Sequence, residues 1–184
     1  MIKYAITDPL YYQNFSYSFC NYFRLKTADF LLLRDKNTSD YFSLASKFIN
    51  FKSTFIKTKF ILQNDISLAI LLNADGLHFS SNNIINIKNA PKNMLKIAST
   101  HNEEEIIKAC ENGADFITFS PVFECNKGAP KGIDALKAAT KLASKYKVKT
   151  LALGGINNAS QIEQIKSTKC AGFGAIRYFT AIKD

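Results

Sequence analysis

The sequence predicts an α/β fold, a compact (β/α)8 TIM barrel in a single domain spanning residues 1–184, with a reduced C-terminal helix. Short apolar runs recur along the chain, and segments with helical spacing separate most of them. The runs are continuously apolar, which is typical of parallel strands covered on both faces. A chain of 184 residues is short for this fold, which usually needs about 200–250 residues, so we expect reduced helices.

Eight apolar runs are predicted to be strands. They are Ile2–Ile6, Phe30–Leu33, Lys59–Leu62, Gly76–Phe79, Met94–Ala98, Phe116–Phe119, Thr150–Leu153 and Gly172–Ile176.

Helices are predicted most clearly in four of the intervening segments, where apolar residues recur every three or four positions. These segments are Ser39–Phe51, Asn102–Asn112, Ile133–Tyr146 and Ala159–Ser167. Asn102 is an expected N-cap with Glu105 three residues later, and Gly113 follows the end of that helix. Only Tyr178–Asp184 remains after the last strand, so the eighth helix is expected to be a stub.

Composition limits the classes of function. The hydrophobic fraction of 47% is enough to form a buried core. The net charge of +9 favours the binding of small anionic ligands. The lysines are spread out, so a nucleic-acid partner is not expected. The four cysteines form no C-x-x-C pair, and no apolar run suits a signal peptide or a membrane helix. We therefore expect a reduced, cytoplasmic protein without a membrane partner.

Two strand ends form a candidate phosphate site. Gly154 and Gly155 follow the seventh predicted strand, and paired glycines let backbone N–H groups approach an anion closely. Ile176 and Arg177 end the eighth strand and would face the same anion. Barrel enzymes often bind phosphate on the loops after strands 7 and 8. A simple strand-to-helix turn remains an alternative for the two glycines.

Charged residues follow two other strands. Arg34, Asp35 and Lys36 end the second predicted strand, at the face where barrel active sites lie. Lys127 lies in the loop after the sixth strand, where it could hold a phosphate or a leaving group, or be solvated.

Polar residues of the fourth and fifth strands are further candidates. Ser99 and Thr100 could cap the next helix or line the mouth, and His101 follows them. His78 lies inside the fourth strand, where a hydrogen-bonded core residue is the favoured interpretation. Cys125 neighbours Lys127, but a loop cysteine without a paired histidine is more often incidental.

With these residues in view, the chain resembles the thiamine-phosphate synthase and TenI family. The matching elements occur in the family's order, from Tyr4 to Phe179. They are Tyr4-Ala5-Ile6-Thr7-Asp8, Arg34-Asp35-Lys36, Ala74-Asp75-Gly76-Leu77-His78, Ser99-Thr100-His101-Asn102, Gly113-Ala114-Asp115, Pro121-Val122-Phe123 with Lys127, and Gly154-Gly155-Ile156.

The resemblance implies ligands for these residues. The synthase joins a hydroxymethylpyrimidine pyrophosphate to a thiazole phosphate with Mg2+, which neutralises the departing pyrophosphate. The resemblance implies that Arg34, Lys36 and Lys127 bind the pyrophosphate. The Gly154-Gly155 turn, with Ile176 and Arg177, would bind thiazole phosphate.

The chain departs from the synthase pattern where Mg2+ would bind. Ser80–Asn83 replaces the strand-4 motif that supplies a carboxylate, and an Asn is a poor substitute because Mg2+ prefers carboxylates. Only Asp65 remains as a metal ligand, if the chain is a synthase. Leu32 and Asn126 replace further polar residues on the pyrophosphate side, and Ser120 stands where the TenI tautomerase has a catalytic His.

These departures favour a TenI-like, metal-independent protein that binds a phosphorylated thiazole, with no cofactor expected. Two alternatives stay open: a divergent synthase using Mg2+, and a non-catalytic ligand-binding or regulatory barrel. His101, Lys127, Arg34 and Lys36 are the candidate catalytic residues. The residues expected to line the substrate pocket are Ser99, His78, Ser120 and Asn126. Formation of a homo-oligomer is left open.

Overall fold

Eight parallel strands close into a barrel in the order of the sequence. The computed structural model describes residues 1–12, 25–35, 37–126 and 128–180. The strands are β1 (Ile2–Ile6), β2 (Phe30–Leu32), β3 (Lys59–Gln63), β4 (Gly76–Phe79), β5 (Leu95–Thr100), β6 (Phe116–Phe119), β7 (Lys149–Leu153) and β8 (Gly172–Ala175). The predicted (β/α)8 barrel is therefore confirmed.

Helices cover the outside of the barrel between consecutive strands. The α-helices are α1 (Tyr41–Asn50), α2 (Ile66–Leu71), α3 (Glu103–Glu111), α4 (Gly132–Lys145) and α5 (Ala159–Lys166). Shorter 3-10 helices are Leu25–Thr27, Phe51–Ser53, Ser81–Asn89 and Arg177–Phe179. No helix in the described part of the chain is long and apolar enough to span a membrane.

The four predicted helices are confirmed with shifts of one or two residues at their ends. Asn102 caps α3 as expected, because its side chain accepts a hydrogen bond from the Glu105 N–H. Gly113 adopts the expected left-handed conformation, with φ of 88°. The expected stub after β8 begins as the 3-10 turn, and residues 181–184 lie outside the described residues.

Two connections differ from the expected α-helical pattern. The segment after β4 forms a 3-10 helix over Ser81–Asn89, since its run of Asn and β-branched Ile has low helix propensity. Helix α2 has only six residues, too few for a periodic signal. Strand β5 extends through Ser99 to Thr100, so Ser99 belongs to the strand and not to the loop that follows it.

The barrel interior is filled mainly by alternate apolar residues of its strands. This inner cluster comprises Tyr4, Ile6, Phe30, Leu32, Ile61, Ile97, Phe116 and Leu151. The residues between them face the helices and join a larger outer cluster. Because every strand is covered on both faces, the continuous apolar runs in the sequence are explained.

A repeated Asp fixes the start of alternate strands. Asp29, Asp75 and Asp115 precede β2, β4 and β6, and each follows an alanine. Each carboxylate accepts a main-chain N–H near the start of the preceding strand at 2.8 Å, the donors being Lys3, Phe60 and Lys96. Hydrogen bonds to carboxylates are stronger than neutral ones, so these contacts set the register at the end opposite the mouth.

Two buried threonines offer a matched test of hydrogen bonding. The Thr150 hydroxyl has no partner among the described residues, whereas the Thr58 hydroxyl donates to the Ala28 carbonyl at 2.7 Å. A buried unsatisfied hydroxyl costs about 1–3 kcal/mol. We therefore expect Thr150→Val to stabilise the fold by about 1 kcal/mol and Thr58→Val to destabilise it by a similar amount. Urea unfolding of both variants measures this; equal destabilisation would contradict it.

Candidate active site

The carboxyl ends of the strands form a mouth with two adjoining cavities. The first has a volume of about 530 Å3 and lies mainly over β2–β5. Its wall is largely polar but carries few charges. The residues that line it are Ile6, Leu32, Arg34, Asp35, Tyr41, Gln63, Asn64, His78, Ser80, Ser81, Asn82, Ser99, His101, Leu153 and Ile176.

The second cavity has a volume of about 240 Å3 and lies over β7 and β8. Leu153 and Ile176 line both cavities, so the two spaces adjoin. The other residues that line the second cavity are Asp8, Leu10, Tyr11, Ser120, Pro121, Cys125, Asn126, Gly154, Gly155, Ile156, Asn157, Gly174, Ala175 and Arg177.

Steric crowding explains why two glycines follow β7. Gly154 and Gly155 have φ values of 96° and 71°, a region that L-residues rarely adopt. A Cβ on Gly154 would lie 2.7 Å from the Cα of Pro121, and one on Gly155 would lie 2.5 Å from the Glu124 carbonyl oxygen. The turn after β7 is therefore packed directly against the backbone of the loop after β6.

Several residues that line the second cavity have backbone N–H groups without an acceptor in the described part of the chain. No described residue accepts a hydrogen bond from the N–H of Gly155, Ile156, Ile176 or Arg177. Backbone N–H groups in such a turn make a concave binding place for an anion. The predicted phosphate-binding residues therefore lie together on one cavity and keep donors available for a ligand.

Arg177 is exposed at the start of the last 3-10 helix and lines the same cavity. Its guanidinium forms no ion pair with a described residue. A charged donor at this position complements the backbone N–H groups for binding an anion.

Arg34 is already paired within the chain. Its Nη1 lies 2.6 Å from Oδ2 of Asp8, and both side chains are largely buried. The Arg34 N–H also donates to the Thr7 hydroxyl at 2.9 Å. Because Asp8 neutralises the guanidinium, Arg34 offers less positive charge to a pyrophosphate than its position after β2 predicts.

His101 lies at the rim of the first cavity beside an acid. Its Nδ1 is 3.3 Å from Oε2 of Glu105, and the same carboxylate oxygen accepts the His101 backbone N–H at 2.6 Å. Glu105 holds this position because Asn102 caps α3 one turn earlier. The carboxylate orients the imidazole, a pairing that suits a general base.

His78 is hydrogen-bonded at both ring nitrogens, as its interior position predicts. Nδ1 lies 2.8 Å from the Tyr4 hydroxyl and Nε2 lies 2.7 Å from the Ser99 hydroxyl. Both His78 and Ser99 also line the first cavity. Tyr41 lies on the same wall; burial raises the pKa of Tyr41 to about 12, so its hydroxyl remains protonated at neutral pH.

Ser120 and Asn126 lie on the second cavity, apart from His78 and Ser99. The expected substrate-pocket residues therefore divide between the two cavities. Cys125 also lines the second cavity as a free thiol. Lys36 and Lys127, two of the predicted catalytic residues, lie outside the described residues.

The residues present do not fit a Mg2+ site of the synthase kind. Asp65 caps α2, where its Oδ1 accepts the Leu68 N–H at 2.9 Å, and it does not line the first cavity. Asn83 donates to the Ser80 hydroxyl at 2.8 Å instead of supplying a carboxylate. Among the described residues there is no group of three or more His, Cys, Asp or Glu side chains that could hold a metal ion.

Four site residues make contacts that the sequence reasoning did not predict. Tyr4 and Tyr41 lie within apolar patterns in the sequence. Their roles become visible only from the hydrogen bonds that their hydroxyls make in the structure. Asp8 gives no sign in the sequence of pairing with Arg34. Asn64 has φ of 58° and accepts the Ser80 N–H at 2.9 Å; its position directly after β3 was the available signal.

Comparison with known proteins supports one family. A family model described as thiamine monophosphate synthase matches residues 4–179. The thiamine-phosphate synthase of Clostridium novyi is 28% identical over 188 aligned positions, covering 97% of this chain and 89% of that protein. That of Methanocella arvoryzae is 29% identical over 145 positions, covering 74% and 67%.

Solved structures agree with the fold. The thiamine phosphate pyrophosphorylase from Pyrococcus furiosus superposes with a TM-score of 0.81 at 21% identity, covering 98% of this chain and 88% of that one. The citrate synthase SbnG has a TM-score of 0.69 at 11% identity, covering 96% and 86%, which reflects the shared barrel alone. With the family match extending from β1 to the turn after β8, the chain belongs to the thiamine monophosphate synthase family.

Proposed function

We propose that this protein binds a thiazole phosphate with its phosphate in the second cavity and acts on the thiazole without a metal ion, as a TenI-type member of the family. The observation that supports this is that the N–H groups of Gly155, Ile156, Ile176 and Arg177 have no acceptor among the described residues. All four residues line one cavity. Such an arrangement recognises a phosphate by its charge and its several acceptor oxygens.

The adjoining cavities suggest where the ring would lie. Leu153 and Ile176 lie at the boundary between the two cavities and line both of them. A ligand whose phosphate occupies the second cavity therefore extends its ring toward the first, where His101 and Ser99 are available. A metal-free isomerisation takes a proton from one ring atom and returns it to another. His101, oriented by Glu105, is our candidate for that transfer.

A divergent synthase is the second candidate function. The first cavity has a volume of about 530 Å3. It has room for a further substrate next to a thiazole phosphate bound in the second cavity. The curated relatives named above are also described as thiamine-phosphate synthases. Against this candidate stand the helix-capping role of Asp65 and the pairing of Arg34 with Asp8. A barrel that binds thiazole phosphate without catalysis is the third possibility that the experiment must separate.

A parallel assay distinguishes these functions. The protein is incubated with hydroxymethylpyrimidine pyrophosphate, thiazole phosphate and Mg2+, and separately with thiazole carboxylate phosphate alone. We expect isomerisation in the second mixture, and its loss in His101→Gln with thiazole phosphate binding retained. Formation of thiamine phosphate in the first mixture would establish the synthase instead. Binding without turnover in either mixture would show a non-catalytic barrel.

We predict that Mg2+ changes the affinity for pyrophosphate by less than about threefold. The reason is that Asp65 caps α2 and Asn83 bonds Ser80, so Asp35 is the one carboxylate among the described residues that line the first cavity. Calorimetry of pyrophosphate with Mg2+ and with a chelator measures the difference. A gain of tenfold or more, about 1.4 kcal/mol, would contradict this prediction and favour the synthase.

A further inference from the structure

A chain of three polar side chains crosses the mainly apolar barrel interior. The Tyr4 hydroxyl lies 2.8 Å from Nδ1 of His78, and Nε2 of His78 lies 2.7 Å from the Ser99 hydroxyl. Tyr4 is wholly buried in the inner cluster, whereas His78 and Ser99 reach the wall of the first cavity. The chain thus connects the barrel core to the candidate ligand space.

Packing holds the Tyr4 ring in place. The ring meets Phe30 edge to face, with centroids 6.0 Å apart. Gly174 on β8 lies beside the ring, and a Cβ there would make an ordinary van der Waals contact of 3.5 Å with Cδ1 of Tyr4. The hydroxyl therefore meets His78 in a fixed geometry, and a phenylalanine at this position keeps the same packing.

The hydrogen-bond chain has one favourable direction. A phenol has a single hydrogen, and Nδ1 of His78 is the partner of the Tyr4 hydroxyl. Burial raises the pKa of Tyr4 well above its usual value, so that hydrogen stays on the oxygen. If Nδ1 carried a hydrogen as well, the buried Tyr4 hydrogen would be left without an acceptor, which is costly.

It follows that Nδ1 of His78 accepts and Nε2 carries the ring hydrogen. Nε2 then donates to the Ser99 oxygen, whose own hydrogen is left to point away from His78. Ser99 is in this way set as a donor at the wall of the first cavity, although a serine by itself could donate or accept equally well.

We propose that Tyr4 is a positioning residue that, through His78, fixes Ser99 as a hydrogen-bond donor and so selects ligands with an acceptor at that point. A carboxylate oxygen or an unprotonated ring nitrogen satisfies this donor; an N–H group does not. The ligand preference rests on the proposed function of the mouth, whereas the direction of the hydrogen-bond chain does not.

Nitrogen-15 NMR of the imidazole rings tests the direction without any ligand. The chain has two histidines, so in His101→Gln the only imidazole signals come from His78. We expect the Nε2–H tautomer in that protein and a mixed or reversed tautomer once Tyr4→Phe is added. An Nδ1–H tautomer in the presence of Tyr4, or a tautomer unchanged by Tyr4→Phe, would overturn the proposal.

Binding measurements test the selection of the ligand. Thiazole carboxylate phosphate is titrated into the unaltered protein and into the Tyr4→Phe, Ser99→Ala and double variants. Inorganic phosphate is the control ligand. We expect each single variant to weaken binding of the carboxylate about tenfold, with inorganic phosphate unaffected. The double variant should be no weaker than Ser99→Ala, because Tyr4 acts through Ser99.

The outcomes separate the two proposals. Additive losses in the double variant, or equal losses for inorganic phosphate, would show that Tyr4 supports the fold and not Ser99, and would overturn the positioning role. If no thiazole phosphate binds to any of the proteins while the NMR shows the Nε2–H tautomer, the proposed function and the ligand preference fall and the hydrogen-bond direction stands.

Discussion

Replacing Gly155 with alanine is expected to weaken thiazole phosphate binding at least about a hundredfold and to destabilise the fold by about 2–5 kcal/mol. The left-handed conformation costs an alanine about 1–2 kcal/mol, and overpacking adds about 1–3 kcal/mol. The added Cβ would meet the Glu124 carbonyl oxygen at 2.5 Å and the Phe123 carbonyl carbon at 2.7 Å. These are backbone atoms that cannot rotate away, so the turn and its N–H groups must shift.

Gly113→Ala is the matched control for this substitution. Gly113 also has a positive φ of 88°, but a Cβ there meets nothing within 4 Å. It follows α3 at the end of the barrel opposite the mouth, so only the conformational cost of about 1–2 kcal/mol is expected, with ligand binding unchanged. Calorimetry and urea unfolding of both variants make the comparison. If Gly155→Ala binds thiazole phosphate normally, the turn after β7 is not the phosphate site.

The barrel could be predicted because its signals are local and repeated. Each strand is a short apolar run covered on both faces, and helical spacing separates most of these runs. The Asn102 cap and the Gly113 turn are likewise set by neighbouring residues. Two connections were not predicted in this way. Helix α2 is too short for a periodic signal, and the 3-10 segment over Ser81–Asn89 has weak helix propensity.

The candidate site was harder to predict because its residues act through distant partners. Arg34 was expected to hold pyrophosphate, and the sequence did not show that Asp8, which lies 26 positions earlier, pairs with it. Tyr4 and His78 are 74 positions apart in the sequence but share a hydrogen bond in the barrel interior. No spacing rule joins such pairs, since barrel closure brings them together.

The two sides of the mouth differ in what they can offer an anion. Over β7 and β8, N–H groups without an acceptor among the described residues line the same cavity as Arg177, which forms no ion pair with a described acid. Over β2–β4, Asp8 pairs with Arg34 and Asp65 caps a helix. The rest of the described wall there is mostly amides and hydroxyls, with the carboxylate of Asp35 and the imidazole of His78. Among the described residues, the cavity over β7 and β8 therefore offers an anion more available donors than the wall over β2–β4, as the proposed thiazole phosphate site requires.

This asymmetry predicts that Arg177→Ala weakens thiazole phosphate binding more than Lys127→Ala does. Arg177 lines the second cavity, and a charge-assisted contact contributes about 1.5–3 kcal/mol, or roughly tenfold to a hundredfold in affinity. If Lys127 binds no pyrophosphate, replacing this lysine should cost at most about 1 kcal/mol of binding free energy. Dissociation constants for both variants, with Arg177→Lys as an intermediate that keeps the charge, test this order.

Each alternative result has a distinct physical meaning. If Arg177→Ala and Arg177→Lys both bind like the unaltered protein, the phosphate is held by the backbone N–H groups of Ile176 and Arg177 alone, and the guanidinium points elsewhere. If Lys127→Ala is the more damaging change, the loop after β6 carries the decisive charge. The pyrophosphate side would then still be in use, and the chain would act as a synthase despite the helix-capping role of Asp65.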